Sequence, residues 1–120
     1  MWCGPAALAA ASGWDAADTQ EVCNRVTGRH TRGLRQRELI QAAGLMGLPL
    51  GERVAVPDRP TLREWSTWTR EPGCYIVLVT DHYVVVNGAR FVDSHTAEGC
   101  AVSRAWCAGK HVKAWWRVLA

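Results

Sequence analysis

The apolar residues of this chain change their spacing at Cys74. Before it they recur every three or four residues, the period of an amphipathic helix; after it they alternate or form short continuous runs, as in strands. Because the two patterns occupy separate halves, we expect an α+β fold with N-terminal helices packed on a C-terminal antiparallel sheet. The chain has 120 residues, 48% of them apolar, so we expect a single domain over 1–120.

Local start and stop signals predict three helices before residue 50. A run of alanines favours a first helix that ends at Gly13. Asp18 with Glu21 resembles a capping box, and Gly28 ends the helix that follows it. Apolar residues at helical spacing predict a third helix over about 34–46.

A second capping box predicts a fourth helix between two strands. It consists of Thr61 and Glu64, and we expect Trp65 and Trp68 in this helix to pack inward. Strands are predicted around 54–56, 74–80, 83–86, 90–93 and 111–119. In the last of these strands, alternation predicts that four residues face the core: Val112, Ala114, Trp116 and Val118.

The dipeptide Asn87-Gly88 predicts a tight hairpin turn between two strands. If these two residues form the turn, Val86 lies opposite Ala89, and counting outward places His82 opposite Asp93. Directly opposed residues share a face, with Cβ atoms ~4.5–5.5 Å apart. The carboxylate could then orient the imidazole and leave its second nitrogen for a thiol.

Cys3 stands just before the predicted start of the first helix. Unpaired backbone N–H groups and the helix dipole favour an anion there, and a thiolate is such an anion. A cysteine so placed near an imidazolium is a nucleophile at neutral pH. The alternative is that Cys3 is a small buried apolar residue, as many cysteines are.

Taken together, these motifs resemble the papain-like bacteriocin-processing cysteine peptidases, also called double-glycine leader peptidases. The matching segments follow the family's order over nearly the whole chain: Cys3-Gly4-Pro5-Ala6-Ala7-Leu8, Gly33-Leu34, Ala43-Gly44-Leu45, Asp81-His82-Tyr83-Val84-Val85-Val86 and Phe91-Val92-Asp93-Ser94. The resemblance implies a papain-like fold with Cys3 as nucleophile, His82 as general base and Asp93 as the residue that orients it.

The chain departs from the family pattern at three places. Family members carry a glutamine several residues before the cysteine that helps to form the oxyanion hole, and only two residues precede Cys3 here. Nothing in the sequence places the downstream glutamines beside Cys3. Asp81 stands where the family has glycine, and Ser94 where it has proline. Losing one oxyanion donor costs on the order of 10²–10³ in rate, so we expect slow turnover.

Other features of the chain favour no cofactor. Cys100, Cys107 and His111 could suggest zinc, but their spacing matches no common site. A local basic run could contact an acidic partner or nucleic acid, but no aromatic residue is interleaved to stack on a base, so we interpret it as a solvated face. This basic run consists of Arg25, Arg29, Arg32, Arg35 and Arg37, together with His30.

Charge and cysteine content bear on the cell compartment. The net charge is +3, from 14 Lys and Arg against 11 Asp and Glu, which is too small to indicate nucleic acid by itself. The longest stretch without a charged side chain, 1–14, is shorter than the ~20 residues that span a bilayer, so we expect no membrane association. Five cysteines without a CxxC pair or an export signal indicate reduced thiols in the cytoplasm.

Three functions are compatible with these residues. The first is a cysteine peptidase or amide-bond hydrolase with a Cys3-His82-Asp93 triad that acts on a peptide or protein substrate. The second is a catalytically weak or inactive papain-like module that binds a peptide or protein partner. The third, and the least favoured, is a small basic protein that binds nucleic acid.

Overall fold

Helices dominate the first half of the chain and strands the second. The computed structural model describes residues 3–31, 33–68, 71–80, 82–88, 90–92, 100–101 and 107–119. Its helices are α1 (Cys3–Ser12), α2 (Ala16–Thr27), α3 (Gln36–Leu45) and α4 (Leu62–Ser66). Its strands are β1 (Val54–Ala55), β2 (Cys74–Val79), β3 (His82–Asn87), β4 (Arg90–Val92), β5 (Cys100–Ala101) and β6 (Val112–Arg117). The predicted α+β class is confirmed.

The strands form one antiparallel sheet in the order β1-β6-β2-β3-β4-β5. The last strand of the chain therefore lies inside the sheet, paired with β1 on one side and β2 on the other. Burial of Val112, Ala114 and Trp116 confirms the alternation predicted for β6. Val118 follows the strand and is only half-buried.

The predicted register of the hairpin between β3 and β4 is wrong by two residues. Asn87 pairs with Arg90 and Val86 with Phe91, so Asn87 belongs to the strand and not to the turn. Gly88 follows it with a left-handed backbone, φ +63°. Glycine adopts a left-handed backbone without the steric cost that a Cβ imposes, so it is the residue best suited to this position.

Helices α1, α2 and α3 cover one face of the sheet. Their buried residues include Leu8, Cys23 and Leu39, and they pack with Tyr83 and Trp116 from the sheet. Burying apolar surface on this face stabilises the contact of α1 with β3.

Helix α4 and the segment around Cys107 cover the opposite face. Trp65 is fully buried there, with its ring centroid 5.9 Å from that of Tyr75. The prediction that Trp68 also packs inward is wrong, because 45% of it is exposed. Since α4 ends at Ser66, Trp68 lies beyond the helix and does not share the buried face of Trp65.

The start of α2 also differs from the prediction. Asp15 caps the helix by accepting the N–H of Ala17 at 2.8 Å, so Asp18 lies inside the first turn rather than before it. The predicted end at Gly28 is confirmed, with a left-handed φ of +72°. Within the described part of the chain, no helix has both the length and the apolar character needed to cross a membrane.

Candidate active site

Cys3 is the first residue of α1, as predicted for a cysteine at a helix start. The backbone N–H groups of this first turn have no acceptor within the helix. The next residue, Gly4, is in close contact with Leu34: a Cβ built on Gly4 would lie 2.8 Å from Leu34 Cγ. Since Cβ atoms do not approach other carbons this closely, only glycine lets α1 begin here against Leu34.

Leu34 also lines a cleft of about 520 Å³ that contains His82. The start of α1 therefore contacts one residue of this cleft, which we call the His82 cleft. Its lining comes from the α2–α3 connection, the start of α3 and the ends of β2 and β3: Arg29, Gly33, Leu34, Arg35, Gln36, Leu78, His82 and Tyr83. A volume of this size is typical of small-molecule and peptide side-chain sites.

His82 is the first residue of β3 and is 93% buried, with 7% of it exposed. Alternation groups its side chain with that of Val84, on the α4 face, whereas Tyr83 packs toward α1–α3. His82 also lines the cleft, beside Tyr83 and Leu34. Its position at the start of β3 places it at the end of the sheet, where the cleft lies.

Asp93 lies outside the described residues. The register expected to oppose it to His82 is not formed, because β4 pairs with β3 two residues further along. The structure thus places His82 in a cleft with Leu34, which packs against the start of α1, whereas the position of Asp93 stays a prediction.

Gln36 lines the cleft, a position that no sequence pattern predicts. It is the first residue of α3, and its Oε1 accepts a hydrogen bond from Arg53 Nε at 2.6 Å. This bond turns the amide oxygen toward Arg53. Within the described part of the chain no hydrogen bond engages the amide Nε2, so the amide is a candidate donor to a carbonyl in the cleft.

The other two glutamines of the chain, Gln20 and Gln41, do not line the cleft. Gln20 Nε2 donates to the Thr31 carbonyl at 2.8 Å and to Asn24 Oδ1 at 3.0 Å. Asn24 Oδ1 in turn accepts the N–H of Thr31 at 3.0 Å. These bonds tie the α2–α3 connection, which supplies the rim of the cleft, to α2. Gln41 is exposed on α3 and does not line the cleft.

Two guanidinium groups give the cleft a positive rim. Arg29 lies 3.6 Å from Glu38, measured from Nη1 to Oε2, and Arg35 makes no ion pair with any described residue. Glu38 Oε1 accepts the N–H of Arg35 at 2.9 Å. That backbone hydrogen bond, followed by the nearby charge of Arg29, lowers the pKa of the Glu38 carboxyl. The carboxylate thus stays ionised at neutral pH.

Two cysteines lie in environments that disfavour the thiolate. Burial raises the pKa of Cys23 to about 11 and also raises the pKa of Cys74. Since the thiolate is the nucleophilic form, we do not expect these two to react at neutral pH. Cys107 is fully buried in the core that includes α4, which limits its access to reagents.

The described residues do not support a zinc site formed by Cys107 and His111. Cys107 is in the core, whereas His111 is exposed and its Nδ1 lies 2.7 Å from the Arg59 carbonyl oxygen. Among the residues that the structure describes, no three His, Cys, Asp or Glu side chains form a cluster that could hold a metal.

Comparison of the chain with protein-family models, curated proteins and solved structures finds no match. The function is therefore argued from the His82 cleft itself. Its lining combines a buried imidazole, an amide and two guanidinium groups, and its residue Leu34 packs against the first turn of a helix that begins with cysteine. These are groups that can activate a thiol and bind a polar peptide.

Proposed function

We propose that the protein is a papain-like cysteine peptidase or amide-bond hydrolase that acts on a peptide in the His82 cleft. Its nucleophile is Cys3, its general base is His82 and the residue that orients the imidazole is Asp93. The observation that supports the proposal is that buried His82 lines a cleft together with Leu34, and that Leu34 packs against Gly4 in the helix turn that Cys3 begins.

The proposed reaction has two steps. His82 takes the proton of the Cys3 thiol while the sulfur attacks the substrate carbonyl carbon, and the protonated imidazole then gives that proton to the leaving amine. The resulting thioester is hydrolysed by a water molecule, whose proton passes through His82 back to the sulfur. The products are a carboxylic acid, an amine and the free thiol.

The tetrahedral intermediate of this reaction carries a negative oxygen that needs hydrogen-bond donors. We assign one donor to the backbone N–H at Cys3, at the start of α1, and a second to Gln36 Nε2. Because Arg53 binds the Gln36 oxygen, the amide nitrogen is oriented before the substrate arrives. Such prior orientation is what makes an oxyanion donor effective.

The proposed location is cytoplasmic. Free thiols at Cys23, Cys74 and Cys107 suit a reducing compartment, where cysteine chemistry is not lost to disulfide formation. A peptide or protein of that compartment is the substrate class that the proposal requires.

The test is cleavage of a peptide library by the wild type and by Cys3→Ala, with Cys74→Ala as a matched control. Cys74 is half-buried at the start of β2 and does not line the cleft, so its loss removes a thiol without touching the site. We expect cleavage by the wild type and by Cys74→Ala and none by Cys3→Ala. Equal cleavage by Cys3→Ala would overturn the assignment. If no variant cleaves but Cys3→Ala still binds peptides, the binding module replaces the enzyme.

A further inference from the structure

The basic run seen in the sequence is divided by the fold into two groups of arginines. Arg25 pairs with Glu21 at 2.9 Å on the exposed face of α2, and Arg37 is exposed on α3. Arg29 and Arg35 instead line the His82 cleft. Arg32 lies outside the described residues. The run is therefore more than a solvated face, because two of its cations border the candidate active site.

The positive charge of the cleft is only partly compensated. None of the described residues that line it is a carboxylate. The nearest carboxylate to Arg29 is Glu38, whose side chain is 13% exposed and which also accepts the Arg35 backbone N–H. Arg53 adds a third guanidinium at Gln36. Among the described residues, Glu38 is the one carboxylate within ion-pair distance of any of these three guanidinium groups, and a ligand that carries negative charge would complete the balance.

Between these charges the cleft has an apolar floor. Leu34 and Tyr83 are buried members of the α1–α3 core, and Leu78 is half-buried beside them. An apolar side chain that lies on this floor would bury surface, while a neighbouring carboxylate would reach Arg29 or Arg35. The cleft therefore suits a peptide in which acidic residues flank apolar ones.

We infer that the His82 cleft selects acidic peptide segments, with Arg29 and Arg35 as the specificity-determining residues. The inference rests on the proposed function in that the bound peptide is taken to be the substrate. A single-stranded nucleic acid fits the cleft less well, because its one described aromatic residue, Tyr83, is buried and presents no exposed face for base stacking.

The magnitude of the selection follows from the exposure of the two arginines. An exposed guanidinium–carboxylate pair is worth roughly a two- to fivefold change in affinity, and it weakens as salt screens the charges. Two such pairs predict a preference of about 5- to 20-fold for an acidic peptide over its amide counterpart at low salt.

The experiment measures binding of fluorescent peptides to the Cys3→Ala protein, which separates recognition from cleavage. Three peptides share an apolar centre and differ in their flanks: Asp and Glu, the isosteric Asn and Gln, or Lys. Binding is compared with that of the Arg29→Gln/Arg35→Gln variant and of a matched control, Arg25→Gln/Arg37→Gln. Both variants lose two charges from the same run, but only the first loses them from the cleft.

We expect the acidic peptide to bind about 5- to 20-fold more tightly than the amide peptide. The preference should vanish in Arg29→Gln/Arg35→Gln and persist in Arg25→Gln/Arg37→Gln. Arg35→Gln alone, which leaves the Arg29–Glu38 pair intact, gives a milder second variant if the double variant has a lowered unfolding temperature.

Several outcomes would overturn the inference. They are no measurable binding of the acidic peptide, no discrimination among the three peptides, an equal loss in both double variants, or tighter Arg29- and Arg35-dependent binding of a single-stranded oligonucleotide. The proposed function fails in a different way, by an absence of Cys3-dependent cleavage. Acidic selectivity without cleavage would therefore leave the recognition site standing as that of a binding module.

Discussion

Leu34 occupies the space that any side chain at Gly4 would need, since a Cβ at that position would lie 2.8 Å from Leu34 Cγ and 3.1 Å from its Cβ. The same leucine lines the His82 cleft. One contact therefore links the packing of the start of α1 to a residue of the cleft.

The first prediction concerns this contact. Gly4→Ala should lower the free energy of unfolding by about 1–2 kcal/mol, because overpacking against a buried leucine outweighs the better helix propensity of alanine. The penalty should disappear when the change is made in a Leu34→Ala background, where the space is open. Thermal or denaturant unfolding of the four proteins measures this coupling, and additive effects of the two changes would contradict it.

The second prediction concerns the five thiols. Limiting iodoacetamide near pH 6 should label Cys3 first, because its helix N-terminus and the proposed pairing with His82 would favour its thiolate. Cys23, with its pKa raised to about 11, and Cys74, with its pKa also raised, should react slowly. Mass-spectrometric mapping of the labelled peptides checks the order. Faster labelling of Cys23, Cys74, Cys100 or Cys107 would refute the nucleophile assignment.

The third prediction tests the oriented amide. Gln36→Ala should lower kcat on the order of 10²- to 10³-fold with a smaller change in KM, as expected for a donor that acts mainly in the transition state. Arg53→Ala should have a weaker effect of the same kind, because it only orients the amide. Gln41→Ala, exposed on the same helix, is the control. A loss confined to KM would instead assign Gln36 to ground-state binding.

The fourth prediction concerns Asp93, whose role rests on the family resemblance. Asp93→Asn should leave the unfolding temperature nearly unchanged while it slows alkylation of Cys3, since a carboxylate that orients an imidazole acts on the thiol and not on the core. Alkylation rates and thermal unfolding are measured on the same samples. A large loss of stability with unchanged Cys3 reactivity would mark Asp93 as a structural residue.

The fifth prediction is a pH dependence of stability. The pKa of Glu38 is lowered in the folded protein, so its stabilising effect is present above its ordinary value of 4.5 and is lost as the pH falls through the lowered value. Glu38→Gln should therefore lower the unfolding temperature at neutral pH, and its difference from the wild type should shrink below pH 4.5.

Glu64 provides the control for this prediction. It accepts the Thr61 N–H at 3.0 Å in the capping box of α4, its pKa is also lowered, and it lies outside the cleft. Glu64→Gln should show the same pH dependence of stability but leave peptide binding unchanged. Glu38→Gln, which frees Arg29, should strengthen binding of the acidic peptide. Equal binding by both variants would argue against a role of Glu38 in the charge of the cleft.

Local sequence signals determined the kinds and many of the ends of the elements. The capping box of Thr61 and Glu64 and the left-handed end at Gly28 both follow from interactions within a few residues of the backbone. Such interactions are encoded wherever the residues occur, so the sequence was sufficient to predict them. Trp68 is an exception to this success. Its helical spacing predicted a buried side chain, but α4 ends at Ser66 and Trp68 is exposed.

Tertiary structure decided the hairpin register and the composition of the cleft. A tight turn could begin at Asn87, which would place Val86 opposite Ala89, or at Gly88. The structure has the second register, in which Val86 pairs with Phe91. His82 is far in the sequence from Arg29 and Gln36, yet packing of α1–α3 on the sheet brings the three to one cleft. The sequence alone determined which groups could carry chemistry. Their convergence depends on contacts between distant segments, which no local propensity encodes.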